Sequence, residues 1–151
     1  MHSKFQNLRI VFISLIFVCF HSVFAHKGKP SFVLEEFSKL TDRIDLENSG
    51  PTSVEALETL LRQGGEKEKD SEIFRKALPI LIELGKTSDP SAKRKLYSEL
   101  VSLLKEVIGY HDRSGAILYQ CSKTGKQWIT NASKVENPFD RKNRSCIQKM
   151  E

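Results

Sequence analysis

The stretch from Ile117 to Asn131 decides the C-terminal fold. It consists of Ile117-Leu118-Tyr119-Gln120-Cys121, a turn over residues 122–126, and Gln127-Trp128-Ile129-Thr130-Asn131. Two runs of β-forming residues flank a glycine-bearing turn, which predicts a β-hairpin. A lone hairpin is marginal in water and needs support. The hairpin is therefore expected to lean on a helix, to be stapled by a predicted disulfide between Cys121 and Cys146, or both. Closing a loop of 26 residues stabilises a fold by about 3.5 kcal/mol in the chain-entropy model.

Beyond Asn131 the segment to Cys146 is irregular. Asn137-Pro138 is a turn signal, and the charged run over residues 140–144 follows it, which argues against a further long strand. No histidine lies between or beside the two cysteines, so a paired disulfide is favoured over a metal site.

Working back from the hairpin, the most strongly patterned helix is predicted from Pro90 to about Gly109, with Asp89 as its cap. Two adjacent apolar rows give it a face wide enough to contact two neighbours; the rows are Leu96, Leu100, Leu103, Val107 and Tyr97, Val101, Leu104, Ile108. Near its start, Lys93-Arg94-Lys95 reads as solvated charge or as an anion contact.

Three earlier helices are predicted from apolar periodicity and capping signals. The first covers about residues 32–47 after the cap Ser31. The second begins at the capping-box spacing of Thr52 and Glu55 and stops at Gly64 or Gly65. The third runs from Ser71 to about Leu84, with a kink or a break expected at Pro79. The predicted fold is mainly α: a small bundle of about four helices followed by a C-terminal β-hairpin stapled by one disulfide.

The chain begins with a segment typical of export. Lys4 and Arg9 precede an apolar run of about 15 residues that ends near Ala25, so residues 1–25 are predicted to be a cleaved signal peptide. A retained anchor is the alternative, although about 20 apolar residues are needed to span a bilayer. Residues 26–31 should be a flexible tail, 32–112 the helical region and 113–151 the disulfide-closed hairpin segment, with 32–151 one domain. No later segment is apolar for long enough to span a membrane.

Positive charge is concentrated at the C-terminal end. Residues 119–151 carry seven basic and three acidic side chains, whereas residues 26–118 carry fifteen basic and sixteen acidic ones. This localised field predicts contact with an anionic partner; the residues expected to take part are Lys123, Lys126, Trp128, Arg141, Lys142 and Arg144. Asn131-Ala132-Ser133 and Asn143-Arg144-Ser145 match the N-glycosylation pattern, which matters only in a eukaryotic source.

The histidines offer one metal hypothesis. Cleavage after Ala25 makes His26 N-terminal, where its α-amino and imidazole nitrogens suit Cu(II). A one-residue resemblance to the N-terminal histidine brace of copper-dependent polysaccharide oxygenases and some periplasmic copper carriers supports copper, with His111 as the second histidine. Those oxygenases are β-sandwiches, which the helical pattern does not match. His111 otherwise reads as a side chain that caps the end of the long helix.

The sequence contains no P-loop, dinucleotide fingerprint, zincin helix or nucleophile elbow. We therefore expect a secreted or periplasmic, non-enzymatic binding module without a cofactor, using the basic disulfide segment or the helical face of Pro90–Ile108. Its partner is expected to be a protein or an anionic surface, since export disfavours nucleic acid. Two alternatives stay open: a copper-binding protein using His26, and a carrier whose helices enclose an apolar ligand.

Overall fold

The computed structural model describes residues 28–63, 70–109, 112–140 and 142–150. Four helices come first: α1 (Lys29–Arg43), α2 (Glu55–Arg62), α3 (Ser71–Lys86) and α4 (Pro90–Leu104), the last extended by a 3₁₀ turn at Lys105–Val107. Three short strands follow: β1 (Ile117–Gln120), β2 (Gln127–Thr130) and β3 (Gln148–Lys149). The predicted class, mainly α with a disulfide-stapled hairpin, is confirmed. The predicted signal peptide, residues 1–25, lies outside the described residues.

Helix α1 begins earlier than predicted. Residues 29–31, expected to belong to a flexible tail, are helical, because Pro30 stands in the first turn where its fixed φ favours a helix. Ser31 is therefore not the cap; it is buried, and its hydroxyl accepts a hydrogen bond from the backbone N–H of Arg113 at 2.8 Å. The helix also ends before residue 47, because the Asp45 carboxylate accepts bonds from the backbone N–H groups of Glu47 and Asn48 and forms a turn.

The next two helices pack closely where they meet. The predicted capping box does not form: α2 begins at Glu55, whose carboxylate accepts a bond from the Ser53 hydroxyl instead. Gly85, which follows the predicted end of the third helix at about Leu84, lies inside α3. A Cβ there would come within 2.6 Å of a Val54 methyl carbon, so the glycine permits the α2 start to lie against α3. Helix α3 is one element through Pro79, which excludes the predicted break into two helices.

Helix α4 matches its prediction at the start. The Asp89 carboxylate accepts a bond from the Ala92 N–H at 2.7 Å, and Pro90 opens the helix. Three residues connect α3 to α4, so the two helices lie side by side and antiparallel. Among the described residues, no helix is long and apolar enough to cross a membrane.

The sheet has the order β2-β1-β3, and all its pairs are antiparallel. The predicted hairpin pairs Tyr119 with Trp128, and β3 adds two residues on the other side of β1. The Cys121–Cys146 disulfide, with Cα atoms 4.9 Å apart, holds the ends of β1 and β3 together. Strand β2 lies against α1, where the Thr130 hydroxyl donates to the Asp42 carboxylate at 3.1 Å.

One aromatic residue joins the helices to the sheet. The Tyr97 ring on α4 stacks on Phe37 of α1 with centroids 5.5 Å apart and meets the edge of Phe139 at 5.4 Å. Its hydroxyl lies 2.7 Å from the Thr41 hydroxyl and close to the backbone of Ile129 in β2. Complete burial raises the pKa of Tyr97 far above that of a free tyrosine, although the bond from Thr41 opposes the shift.

Because Tyr97 stays protonated when folded, alkaline pH should destabilise the protein. An unfolded tyrosine loses its proton near pH 10, so the unfolded state binds fewer protons above that pH and stability falls by about 1.4 kcal/mol per pH unit. Below pH 10 this contribution is complete. Urea unfolding between pH 8 and pH 11.5 measures it.

The Tyr97→Phe variant is the matched control for that titration. It should lack the tyrosine part of the alkaline slope and be about 1 to 2 kcal/mol less stable at pH 7, because buried polar groups lose their partner. Equal alkaline slopes for both proteins contradict the assignment.

Removing the disulfide should lower the free energy of unfolding by about 3.5 kcal/mol, since its two cysteines are 25 residues apart in sequence. The Cys121→Ser/Cys146→Ser variant and the wild-type protein are compared in urea without reductant. A difference below about 1 kcal/mol would show that the staple adds little to the packing of the hairpin.

Candidate functional site

The predicted anionic-partner residues divide into distinct groups in the structure. Lys123, Lys126 and Lys142 are exposed and form no ion pair in the described part of the chain. The first two belong to the turn between β1 and β2, which is closed by a bond of 2.8 Å from the Gly125 N–H to the Cys121 carbonyl. Gly125 has a φ of +70°, which favours glycine at this position.

Arg144 is used locally rather than left open to a partner. Its guanidinium and the Lys134 ammonium both pair with the Glu136 carboxylate. These hydrogen bonds, from Lys134 first and then Arg144, lower the pKa of Glu136 below its ordinary value. Arg141 lies outside the described residues. The two predicted glycosylation positions, Asn131 and Asn143, are both exposed.

Trp128 does not belong to the contact surface, and its inclusion there is corrected. Its side chain is completely buried and stacks on Tyr119, with ring centroids 6.1 Å apart. The neighbouring residue Ile129 is also completely buried. Because successive residues point to opposite faces of a strand, β2 is covered on both sides. The indole N–H has no hydrogen-bond partner in the part of the protein that the structure describes.

Lys126 connects the basic turn to the helices. Its ammonium lies 5.9 Å from the centroid of the Phe139 ring, a cation–π arrangement. Phe139 in turn packs against Tyr97 of α4. The turn cation is therefore placed beside α4 rather than projecting freely from the hairpin.

A surface groove of about 760 Å³ runs between α3 and α4, and Lys126 borders it. Its lining comes from three parts of the chain: Lys76 and Ile80 of α3, Lys126 of the hairpin turn, and Ser91, Arg94, Lys95, Ser98, Glu99, Ser102 and Leu103 of α4. We call this feature the α3–α4 groove. It brings together the two regions that the sequence offered as alternatives, the basic disulfide segment and the face of the long helix.

The floor of the α3–α4 groove is less polar than its composition indicates. The Ser98 hydroxyl donates to the Arg94 carbonyl at 2.8 Å, and the Ser102 hydroxyl donates to the Ser98 carbonyl at 3.0 Å. Both donors are therefore already satisfied within α4. Together with Ile80 and Leu103, these small residues form a shallow valley with few hydrogen-bond donors left to offer.

The rim of the groove is positively charged. Four of the lining residues are basic and only Glu99 is acidic. Lys95 and Lys126 form no ion pair in the described chain. Lys76 pairs with Glu72 at 2.7 Å, but both side chains are more than half exposed, so the pair is weak.

The basic run at the start of α4 proves to have mixed roles. The Lys93 side chain is buried, and its ammonium donates to the Asn48 carbonyl at 3.1 Å. Arg94 donates to the Leu46 carbonyl at 2.9 Å. Reading the whole run as solvated charge or as an anion contact is therefore wrong for Lys93, which stabilises the α1–α2 connection. Lys95 remains open to solvent.

A second cleft, of about 280 Å³, lies between the end of α1 and the segment after the hairpin. Its charged groups are already engaged with the protein. Asp42 accepts from Thr130, and Glu136 pairs with Lys134 and Arg144. This cleft has less unpaired charge to offer a partner than the α3–α4 groove.

The copper hypothesis rests on His26 and His111, and both lie outside the residues that the structure describes. Within the described ranges, no three His, Cys, Asp or Glu side chains come together in a way that could hold a metal ion. Copper binding therefore stays a prediction.

Sequence reasoning missed the α3 side of the groove and its serine floor. Lys76 and Ile80 come close to α4 only through tertiary packing, which no local pattern records. A signal was present on α4: Ser91, Ser98 and Ser102 repeat at spacings of seven and four, which places them on one helical face.

Comparison of the chain with protein-family models, curated proteins and solved structures gives no match in any of the three.

The burial of Trp128, the single tryptophan of the chain, predicts its fluorescence. Native emission should be shifted to shorter wavelength than that of the unfolded protein, and acrylamide should quench it weakly. Native emission and quenching that match those of the unfolded chain would show that the indole is exposed. The same measurements on the protein in 8 M urea serve as the reference.

Proposed function

We propose that this protein is a non-enzymatic binding module that takes an anionic partner in the α3–α4 groove. The observation that carries the proposal is the convergence of four cationic side chains on an apolar, serine-lined floor with a single carboxylate among them. The cations come from two helices and from the disulfide-linked turn, so their convergence depends on the tertiary fold. Complementary charge of this kind favours specificity and fast association.

The two surfaces of the groove have separate roles in this proposal. Lys95 and Lys126 attract a negatively charged group and set the salt dependence, since mobile ions screen exposed charges. The floor at Ile80 and Leu103 supplies apolar contact that survives high salt. A partner that engages both must carry apolar groups as well as negative charge.

We place this activity outside the cytoplasm. The leader pattern of residues 1–25 supports export, and the Cys121–Cys146 disulfide is compatible with an oxidising compartment. In that setting a protein or another anionic surface is a better partner than nucleic acid.

The two other candidate functions have less support. Copper binding depends on His26 and His111 alone. A carrier of an apolar ligand needs an enclosed cavity, whereas the α3–α4 groove is open to solvent and bordered by charged side chains. An apolar ligand there would leave the cations without partners.

Charge reversal on the rim tests the proposal. Fluorescein-labelled poly-L-glutamate is titrated with the wild-type protein and with Lys95→Glu/Lys126→Glu at low salt, and anisotropy gives the affinity. We expect the double variant to bind about tenfold or more weakly, because two attractive contacts become repulsive. Raising the salt should weaken wild-type binding more than binding by the variant.

A variant with one reversed charge elsewhere separates the site from general charge. Lys86→Glu alters an exposed lysine at the end of α3, outside the groove lining, and Lys95→Glu is its single-charge counterpart. Lys86→Glu should weaken binding much less than Lys95→Glu. Equal losses for the two single variants, or no wild-type binding, would refute the proposed function.

A further inference from the structure

The shape of the α3–α4 groove indicates a specific kind of partner. The groove follows α4 from Ser91 to Leu103, which at 1.5 Å per residue is about 18 Å or a little over three helical turns. Two antiparallel helices form its sides. A valley of this length and form matches a third helix of about twelve residues lying along both.

The serine floor favours a helix over a flexible polyanion. Small residues on a helix face let another helix approach closely, and Ser98 and Ser102 have already satisfied their hydroxyl donors within α4. The backbone N–H and C=O groups in the middle turns of a helix are already paired, so a bound helix needs no hydrogen bonds from the floor of the groove. Apolar side chains of the partner then contact Ile80 and Leu103.

Charge decides which helix lies there. Residues 1–27 of this chain contain no acidic residue and several basic ones, so they are repelled by the rim. The same groove on a second copy is repelled in the same way. Resting on the proposed function, we infer that the occupant is an amphipathic helix of another protein, with an apolar stripe and acidic residues beside it.

The positions of the charges refine that partner. Because α3 and α4 are antiparallel, Lys76 lies toward the Leu103 end of the groove, and Leu103 is about 12 Å from Lys95 along α4. Glu99 falls between them. The matching helix therefore carries its acidic residues about two turns apart, near both ends, and a neutral or basic residue at its centre.

Two labelled peptides of sixteen residues and identical composition test this inference. One has leucines at helical spacing i, i+3, i+4, i+7 with glutamates flanking each end of the stripe; the other has the same residues scrambled. We expect the patterned peptide to bind at least tenfold more tightly by anisotropy and to gain helical circular dichroism on binding. The scrambled peptide keeps its charge and so measures electrostatic attraction alone.

A filled groove provides the structural control. Ser102→Phe places a ring on the exposed floor of the groove and should weaken binding of the patterned peptide about tenfold. Ser88→Phe adds the same ring at an exposed position outside the groove lining and should leave both the peptide and the poly-L-glutamate affinities unchanged. Circular dichroism and urea unfolding establish that both variants are folded.

The outcomes distinguish this inference from the proposal beneath it. Equal affinity for both peptides, with poly-L-glutamate binding intact, overturns the helical partner and keeps the anionic groove. Preferential binding to phosphatidylglycerol vesicles over phosphatidylcholine vesicles, without preference between peptides, also overturns it in favour of an anionic membrane. If the protein binds neither the peptides, nor poly-L-glutamate, nor the anionic vesicles, the proposed function itself is refuted.

Discussion

The hydrogen bond between the buried hydroxyls of Tyr97 and Thr41 is the constraint on which the packing of this protein depends. Tyr97 of α4 contacts Phe37 of α1 and Phe139 after the hairpin, and its hydroxyl lies close to the backbone of Ile129 in β2. Burying its hydroxyl without partners costs about 1 to 3 kcal/mol. Helix α4 therefore has one favourable rotation against α1 and the sheet, the one in which the hydroxyl reaches Thr41 and the backbone of Ile129.

That rotation also determines what α4 presents to solvent. Successive residues of an α-helix are rotated by about 100°. With Tyr97 directed to the core, Ser91, Ser98, Ser102 and Lys95 all fall within a sector about 100 to 160° away from it. This sector carries four of the seven α4 residues that line the groove. A polar network inside the protein thus fixes the orientation of a binding surface outside it, and a rotation of α4 by one residue position would separate the serines from Ile80 and Lys76.

Much of this fold was accessible from sequence because its signals are local. The caps Asp89 and Pro90, the helical periodicity and the glycine-bearing turn each act over a few residues, and the structure confirms the elements they predicted. The errors arose where a distant group decides a local outcome. The Ser31 hydroxyl accepts a hydrogen bond from the Arg113 backbone N–H rather than capping its own helix. The Lys93 ammonium donates to a carbonyl of the α1–α2 connection.

The candidate site shows the same division. Its basic turn was identified by composition, but composition cannot separate Lys126, which borders the groove, from Arg144, which pairs with Glu136. It also could not show that Trp128 is covered on the strand that lies beneath α1. Strand β3 was not predicted because a strand of two residues is too short to show alternation of apolar and polar side chains. The disulfide, rather than β-propensity, places these residues beside β1.

The disulfide has a role in the groove as well as in the sheet. Cys121 begins the turn that ends at Lys126, and its backbone N–H bonds the Lys126 carbonyl at 2.9 Å. Cys146 ends the irregular segment that contains Phe139, the ring over which the Lys126 ammonium lies. The covalent bond therefore links the backbone that carries the cation to the segment that positions it. Since Phe139 also packs on Tyr97, one continuous set of contacts runs from the disulfide through Lys126 to α4, and the hairpin holds a charge at the groove that the helices alone do not provide there.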